Sequence, residues 1–331
     1  METYLPDYQT RLKLRELAKR DAKSKRASFW RSIPQVPPRP IDGHKGTFGT
    51  SLAVGGSRGM SGSISLTGGA ALVVGSGLVR IFTPDAILET VAQYQREYTT
   101  IPGACDFAGR LTSASASDIF SEASRATAVA VGPGLGRSEE LDALVVELFY
   151  ELEQPTVFDA DALNALAARG VFEGRNAGER RPRGARVLTP HPGEFYRLTG
   201  KKVEKDGLQR LAAVADFSAR CVELFEGTPL VVVLKGFQTI CRDVKRDASF
   251  VNATGNSNLA TGGSGDVLTG VILGLLAQGA SVFDASCLGV ALHGLTAELR
   301  QTVLTRGMLA SDAVRFLPLA FDYLFDVQAE L

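Results

Sequence analysis

Asp266 carries the clearest chemical signal in the chain. It stands in TGGSGDVLTGVILGLL, residues 261–276, behind Gly262, Gly263 and Gly265 and directly ahead of an apolar helical run. Two readings are open for this stretch. A carboxylate before a helix is a preferred N-cap, its oxygen accepting a free backbone N–H for about 1 kcal/mol. A cap alone does not call for three glycines. Successive glycines let the N–H groups of Gly263, Ser264 and Gly265 converge on one concavity at the positive end of a helix, which is an anion site.

Three further stretches can add to such a site. VLTPHPGEFYRL, residues 187–198, sets His191 and Glu194 three apart in a turn stiffened by Pro190 and Pro192. His191 can there touch a substrate and Glu194 organise a metal-bound water; alternatively the pair opens a helix, whose dipole Glu194 favours by roughly 0.3–1 kcal/mol. PTVFDADALNAL, residues 155–166, ends a strand with Asp159 and Asp161 and opens a helix that either acid can cap. VVVLKGFQT, residues 231–239, ends an apolar strand with Lys235 and Gly236, where a lysine meets a phosphate or marks an exposed strand end.

Glycine fills two more turns, VGGSRGMSGS at 54–63 and VGPGLGRS at 131–138. Three such turns at strand ends suggest a ligand carrying several phosphates. None of them reads GxxxxGK[ST] or GxGxxG, which argues against a Walker-type NTPase and a dinucleotide-binding Rossmann turn.

The elements that position these residues alternate. Strands are expected in TSLAVGG, GLVRIFTP, TAVAVG, PTVFDA, ARVLTP and PLVVVLKG, and helices at 63–74, 138–151, 208–225 and 267–277. Alternation of this kind predicts an α/β fold, a mostly parallel sheet with helices on its faces, and such sheets bind ligands at the carboxyl ends of their strands. No repeat of fixed period and no second core are visible, so one large domain is expected from His44 to residue 331. Residues 1–43 read as a basic extension, rich in Lys and Arg over 12–26, followed by the proline-rich linker FWRSIPQVPPRPIDG. The basic stretch is either a solvated helix, an oligomer contact or a phosphate contact. EGRNAGERRPRGAR, residues 173–186, reads as a charged surface insertion.

Composition narrows the class of partner. Thirty-six basic residues balance thirty-six acidic ones, so the net field makes no case for nucleic acid or an acidic membrane surface. Cys105, Cys221, Cys241 and Cys287 are far apart, without a CxxC pair or a histidine at ligand spacing, so neither a zinc site nor a disulfide framework is expected. The N-terminus lacks the apolar run of a signal peptide and no uninterrupted apolar stretch reaches spanning length, which predicts a cytoplasmic protein.

Taken in order, HKGTFGTSLAVGGS, GPGLGRS, FDADALNAL, TPHPGE, LKGFQT and TGGSGDVLTGVILGLLAQG resemble one family closely: the ADP/ATP-dependent NAD(P)H-hydrate dehydratases, repair enzymes with a three-layer ribokinase-like fold. The resemblance runs from about residue 44 to residue 299. Too few residues precede His44 for the epimerase domain of fused relatives, so a stand-alone form is expected.

The resemblance implies that the hydroxyl of the (6S) hydrate of NADH or NADPH is phosphorylated at the expense of ADP or ATP, and that loss of phosphate restores the dihydronicotinamide. Asp266 would then be the catalytic base, with Gly263, Ser264 and Gly265 as the phosphate nest. Ser63, Gly134, His191 and Asp266 would line the hydrate pocket, and Lys235, Gly236, Phe237, Gln238, Thr239 and Gly265 would hold the nucleotide. Glu194 would take an indirect part in holding Mg2+. Relatives commonly carry Ala where Ser63 stands, and GGTGD where this chain has GGSGD. A helix N-terminus lowers a carboxylate's proton affinity, so Asp266 is expected to be a weak base. The resemblance further implies a homo-oligomer, commonly a tetramer, and ADP in preference to ATP. A ribokinase-like kinase of a small alcohol, using the same acid and nest, is the alternative enzyme; a nucleotide sensor without catalysis is a third reading.

Overall fold

The computed structural model describes residues 8–173, 180–203, 206–302 and 306–331, with side chains from residue 11 onward. In chain order the elements are α1 (Tyr8–Ala22), α2 (Ala27–Ser32), β1 (Thr50–Val54), α3 (Ser61–Val74), β2 (Leu78–Pro84), α4 (Leu88–Tyr94), β3 (Thr99–Gly103), α5 (Ala116–Ala123) and β4 (Ala128–Val131). There follow α6 (Glu139–Glu151), β5 (Thr156–Phe158), α7 (Asp161–Ala168), β6 (Arg186–Leu188), α8 (Pro192–Thr199), α9 (Gly207–Leu224) and β7 (Leu230–Leu234). The chain continues through β8 (Ile240–Asp243), β9 (Ala248–Val251), α10 (Ser264–Ala277), α11 (Val282–Gln301) and α12 (Ala310–Ala329).

The nine strands form one sheet in the order β3-β2-β1-β4-β5-β6-β7-β8-β9. All neighbours from β3 to β7 pair in parallel, and β7, β8 and β9 form an antiparallel meander at one edge. Strand side chains alternate between two cores. Ala53, Ala130, Val157, Val187 and Val233 face one side, packed by α3, α10, α11 and α12. Leu52, Val131, Phe158, Leu188 and Leu234 face the other, packed by α5 to α9. The result is three layers, and each fully buried Val, Leu or Ile in them contributes roughly 1.5–3 kcal/mol.

The six expected strands form. β3, β8 and β9 lie outside them, being short and carrying polar or proline residues at the sheet's margins. Helix α11 is apolar on every side and has the length and composition of a membrane span, but 83% of that window is buried inside the fold. It is a core helix.

Two helix starts differ from expectation. α3 begins at Ser61, and α10 begins at Ser264 rather than Val267. Gly263 takes the N-cap position of α10 with φ 86 and ψ −10, a left-handed conformation that glycine adopts without steric cost. Asp266 is therefore the third residue of the helix, not its cap. Gly270 lets α10 cross α3 closely, since a Cβ there would lie 2.2 Å from the carbonyl oxygen of Thr67. This approach brings the first turn of α10 against the first turns of α3.

The segment before His44 shares the main core. Leu14, Ala18 and Ala22 of α1 and Trp30 of α2 are buried in it, and α1 lies along α12, where the Tyr323 hydroxyl donates to Asp21 at 3.0 Å. Arg26 lies over the Trp30 ring at 4.8 Å and donates to the carbonyl of Ala253 at 2.9 Å. Apolar residues at helical spacing, rather than the basic ones, decide where α1 sits. The expected linker is extended only from Ile33 on, with Arg39 over the Phe48 ring and bonded to the carbonyl of Gly75; its first residues, Phe29 to Ser32, belong instead to α2, where burial of Trp30 holds them in the core. Of the charged insertion at 173–186, residues 174–179 lie outside the described residues, while Arg186 is fully buried in β6 and donates to the carbonyls of Phe149, Leu152, Gln154 and Ala185.

Candidate active site

The carboxyl ends of β1, β4, β5, β6 and β7 point the same way and carry the turns expected to hold ligand. The sheet order reverses between β1 and β4, the crevice where open α/β sheets place ligands. Here the first two glycine turns interlock: Gly56 N–H donates to the Pro133 carbonyl at 2.9 Å and the Ser57 hydroxyl donates to the Gly134 carbonyl at 2.8 Å. Gly134 has φ 63, and a Cβ on it would meet the Met60 carbonyl oxygen at 2.6 Å and Ser63 Cβ at 3.0 Å. Part of the glycine content of these turns is thus explained by turn-on-turn packing.

Asp266 stands beside this junction. The Ser63 hydroxyl bonds its carboxylate, and Thr67 Oγ1 of α3 donates to its backbone carbonyl at 3.0 Å. In front of it, Gly263 turns the chain so that α10 starts with its first-turn amides facing the site. The Ser264 amide closes a turn onto the Thr261 carbonyl at 3.3 Å, and Val267 N–H is bonded to the Gly263 carbonyl. The Gly265 and Asp266 amides have no helical carbonyl to reach, as at every helix start, and form an electropositive cradle. His293 of α11, buried and held neutral by a pKa pushed down to about 4, sits with Nε2 3.2 Å from the Ser264 hydroxyl.

Lys235 lies across the cradle. A Cβ on Gly265 would be 3.3 Å from its Nζ and 3.9 Å from Oδ2 of Asp159. Lys235 is not an exposed strand end: its side chain is 17% exposed, and Nζ donates to Asp159 Oδ1 at 2.7 Å, with Glu194 Oε2 at 3.7 Å. The other Asp159 oxygen accepts from Thr269 Oγ1 at 2.7 Å. Neither Asp159 nor Asp161 caps α7. Ala160 occupies the N-cap position at φ 50 and ψ −118, and Asp161 accepts instead from the Gly136 amide at 2.9 Å. A non-glycine residue held there stores strain of order 1–3 kcal/mol, and it separates the two acids between different partners.

His191 and Glu194 do open a helix. His191 is the N-cap of α8, its Nδ1 accepting from the Gly193 and Glu194 amides at 3.0 and 3.2 Å, while the Glu194 carboxylate accepts from the His191 amide at 2.8 Å. That capping box leaves Nε2 of His191 as the protonated nitrogen of a neutral ring, 3.3 Å from Glu194 Oε1. Burial, with Lys235 and Arg197 nearby, keeps the ring's pKa below its usual value. Glu194 thus opens the helix as the dipole reading expects, and the same carboxylate is buried beside Lys235.

The electrostatics follow from three carboxylates around one ammonium. Burial pushes Glu194 up to about 7 against the pull of Lys235. Burial and the charge of Asp159 push Asp266 up to about 6, although the Ser63 hydroxyl and Lys235 work the other way. This corrects the expected weak base: withdrawal from water outweighs the helix dipole. Burial draws Lys235 down, but Asp159 and Glu194 more than offset it and keep it charged.

The remaining predicted residues form the rim. Gly236, Phe237, Gln238 and Thr239 make a turn leading out of β7, with the Phe237 ring exposed, Gln238 at φ 54 and Thr239 Oγ1 donating to the Gly236 carbonyl at 2.9 Å. Sequence reasoning offered Asp159 as a strand-end acid or helix cap without assigning it a role, and singled out neither Thr269 nor His293. Thr269 had a signal, lying three residues after Asp266 on the same helix face.

Comparison with known proteins gives the family. A sequence profile described as NAD(P)H-hydrate dehydratase matches residues 51–319. The bifunctional NAD(P)H-hydrate repair enzyme Nnr of Moorella thermoacetica is 38% identical over 286 residues, 86% of this chain and 51% of that protein. The ADP-dependent (S)-NAD(P)H-hydrate dehydratase of Neisseria meningitidis is 37% identical over 83% of this chain and 85% of its own. The chain spans about half the length of the bifunctional relatives it matches. Among solved structures, the ADP/ATP-dependent NAD(P)H-hydrate dehydratase of Bacillus subtilis, co-crystallised with ATP/Mg2+, superposes with a TM-score of 0.68 at 30% identity, covering 89% of this chain and 96% of that one. A ribokinase-like superfamily protein of Enterococcus faecalis shares the fold at a TM-score of 0.71 and 23% identity, over 91% and 95% of the two chains. With its three-layer ribokinase-like fold and a match over most of its length, this chain belongs to the NAD(P)H-hydrate dehydratase family.

Proposed function

We propose that this chain dehydrates the (6S) hydrate of NADH or NADPH to the reduced dinucleotide, phosphorylating the hydroxyl from ADP, or from ATP, and then releasing phosphate. The observation that carries this reading is the Asp266 carboxylate in the first turn of α10, with Gly265 beside it lying close against the Lys235 ammonium. The geometry fits a phosphoryl transfer in which the protein's part is positioning and charge stabilisation. Gly265 and Asp266 amides receive the transferring group, with Gly263 and Ser264 shaping the cradle. Lys235, Gly236, Phe237, Gln238 and Thr239 flank the nucleotide. The hydrate lies against Ser63, Gly134 and His191, its hydroxyl facing Asp266. The base takes the hydroxyl proton as the phosphoryl group arrives; the C–O bond then breaks as phosphate leaves, and loss of a proton from the adjacent ring carbon forms the ring double bond.

Mg2+ is the metal this reading expects. Three carboxylates face a single ammonium, so the site is short of positive charge. Mg2+ keeps several of its waters and is commonly bound through one or two carboxylates together with substrate phosphates. Glu194 would hold it through water, and it would neutralise phosphate charge. The protein is proposed to act in the cytoplasm as a homo-oligomer, with ADP preferred; light scattering tests the assembly.

The deciding experiment incubates the protein with NADH or NADPH hydrate, Mg2+ and either nucleotide, and follows the absorbance of reduced nicotinamide. Recovery with release of inorganic phosphate supports the reading. Absence of recovery with both nucleotides, with a stable phosphorylated alcohol formed instead, replaces it by a kinase.

A further inference from the structure

Arg210 is a buried cation without an acid beside it. It sits on α9, 7% exposed, and among the described residues no carboxylate pairs with its guanidinium. Each hydrogen bond of its side chain goes to a carbonyl at the end of β7 or in the turn that follows it. Nη2 donates to Leu234 and Lys235, both at 3.3 Å, and Nη1 donates to Phe237. Its Nε is buried with no partner among the described residues. Gly236 lies against it with φ 135, and a Cβ there would come within 3.2 Å of Nη2.

A buried charge is costly unless it is paired, and carbonyl dipoles repay only part of the cost. An apolar side chain would pack α9 against β7 and β8 without it. What the arginine adds is twofold. Its planar fork ties three carbonyls of one turn together, which a point charge cannot do at once. Among the described residues, its charge has no acid paired with it.

We propose that Arg210 is the positioning residue of the nucleotide turn: it fixes Lys235 to Thr239 in the shape that receives the nucleotide and leaves its unpaired charge to favour the polyphosphate. The inference rests on the reading that this turn holds an adenine nucleotide.

The test compares the full chain with its Arg210→Lys and Arg210→Gln variants, each with a thermal melt to show that it is folded. Binding of ADP and ATP is measured by calorimetry with Mg2+ present, and kcat and KM are measured for nucleotide and hydrate separately. Loss of hydrogen bonds to a charged group is expected to raise the nucleotide KM and Kd about tenfold or more in Arg210→Gln, with kcat and the hydrate KM moving less. Arg210→Lys, keeping the charge but not the fork, falls between the two. A nucleotide Kd within twofold of the parent in folded Arg210→Gln overturns the proposal while leaving the dehydratase reading intact. If that variant does not fold, Arg210→Lys decides: a threefold or greater rise supports the role and an unchanged Kd overturns it. A parent chain that binds neither nucleotide ends both this inference and the reading beneath it.

Discussion

Lys235 Nζ lies 2.7 Å from Oδ1 of Asp159, although 76 residues of chain separate them. β5 and β7 flank β6 in the sheet and each delivers one partner past its carboxyl end. The pair is nearly dry, so removing one member strands the other. Lys235→Met is expected to cost roughly 3–5 kcal/mol of stability, by analogy with other broken buried pairs. Urea unfolding measures it, and a loss below about 1 kcal/mol would mean that water already screens the pair.

Asp266→Asn removes the proposed base and little else. Activity should drop by a factor on the order of 10² to 10⁴, with nucleotide Kd changed only slightly. Single-turnover kinetics beside calorimetry separates the two quantities; a variant that keeps a tenth of parental activity cannot have lost its base.

The pH profile of kcat/KM has a signed expectation. A base with its pKa near 6 is ionised above that value, so the rate should fall on the acid side, about tenfold per unit below 6. Because the charge of Asp159 helps hold that pKa up, Asp159→Asn should move the acid limb to lower pH. An unmoved limb in a folded variant would exclude that coupling.

Stability should move opposite to activity. The Asp266 carboxyl rises from 3.8 in the unfolded chain to about 6 in the fold, so the folded state is penalised once the group must ionise. That penalty is absent below the unfolded value and complete above the folded one. Asp266→Asn should therefore be more stable than the parent by about 1–3 kcal/mol at pH 7, an advantage that fades between pH 6 and 4. Melting temperatures across that range check it, and a variant less stable at pH 7 contradicts it.

Gly134→Ala tests the junction of the first two turns. A methyl group there meets the Met60 carbonyl at 2.6 Å on a backbone with positive φ. The turn has to shift, and the hydrate KM should rise by about tenfold, the nucleotide KM less. Steady-state titration of each substrate shows whether the effect is confined to the hydrate side.

The cradle was legible because glycines and a carboxylate ahead of an apolar helix are a local pattern, as were the strands whose apolar runs end in those turns. Asp159 was not. A local rule already explained it as a helix cap, and its true partners, Lys235 and Thr269, reach it through the sheet and through α10. The proton affinity of Asp266 escaped for a similar reason: the helix dipole is visible in sequence, while burial and a neighbouring acid are properties of the assembled fold. Arg210 gave no signal at all, since an arginine on an amphipathic helix is by default a surface residue. The interlocked first and second turns show the converse case, in which glycines suggestive of a ligand are also required by one backbone lying on another.

The lengthwise contact between α1 and α12 also orders events on the ribosome. Leu14, Ala18 and Trp30 are made nearly three hundred residues before the helix that covers them, which has Leu317, Ala320 and Leu324 on its inner side. A nascent chain must therefore carry an uncovered apolar surface while that intervening stretch is made, and docking of α12 onto α1 is the step that withdraws it from chaperones and from other unfinished chains.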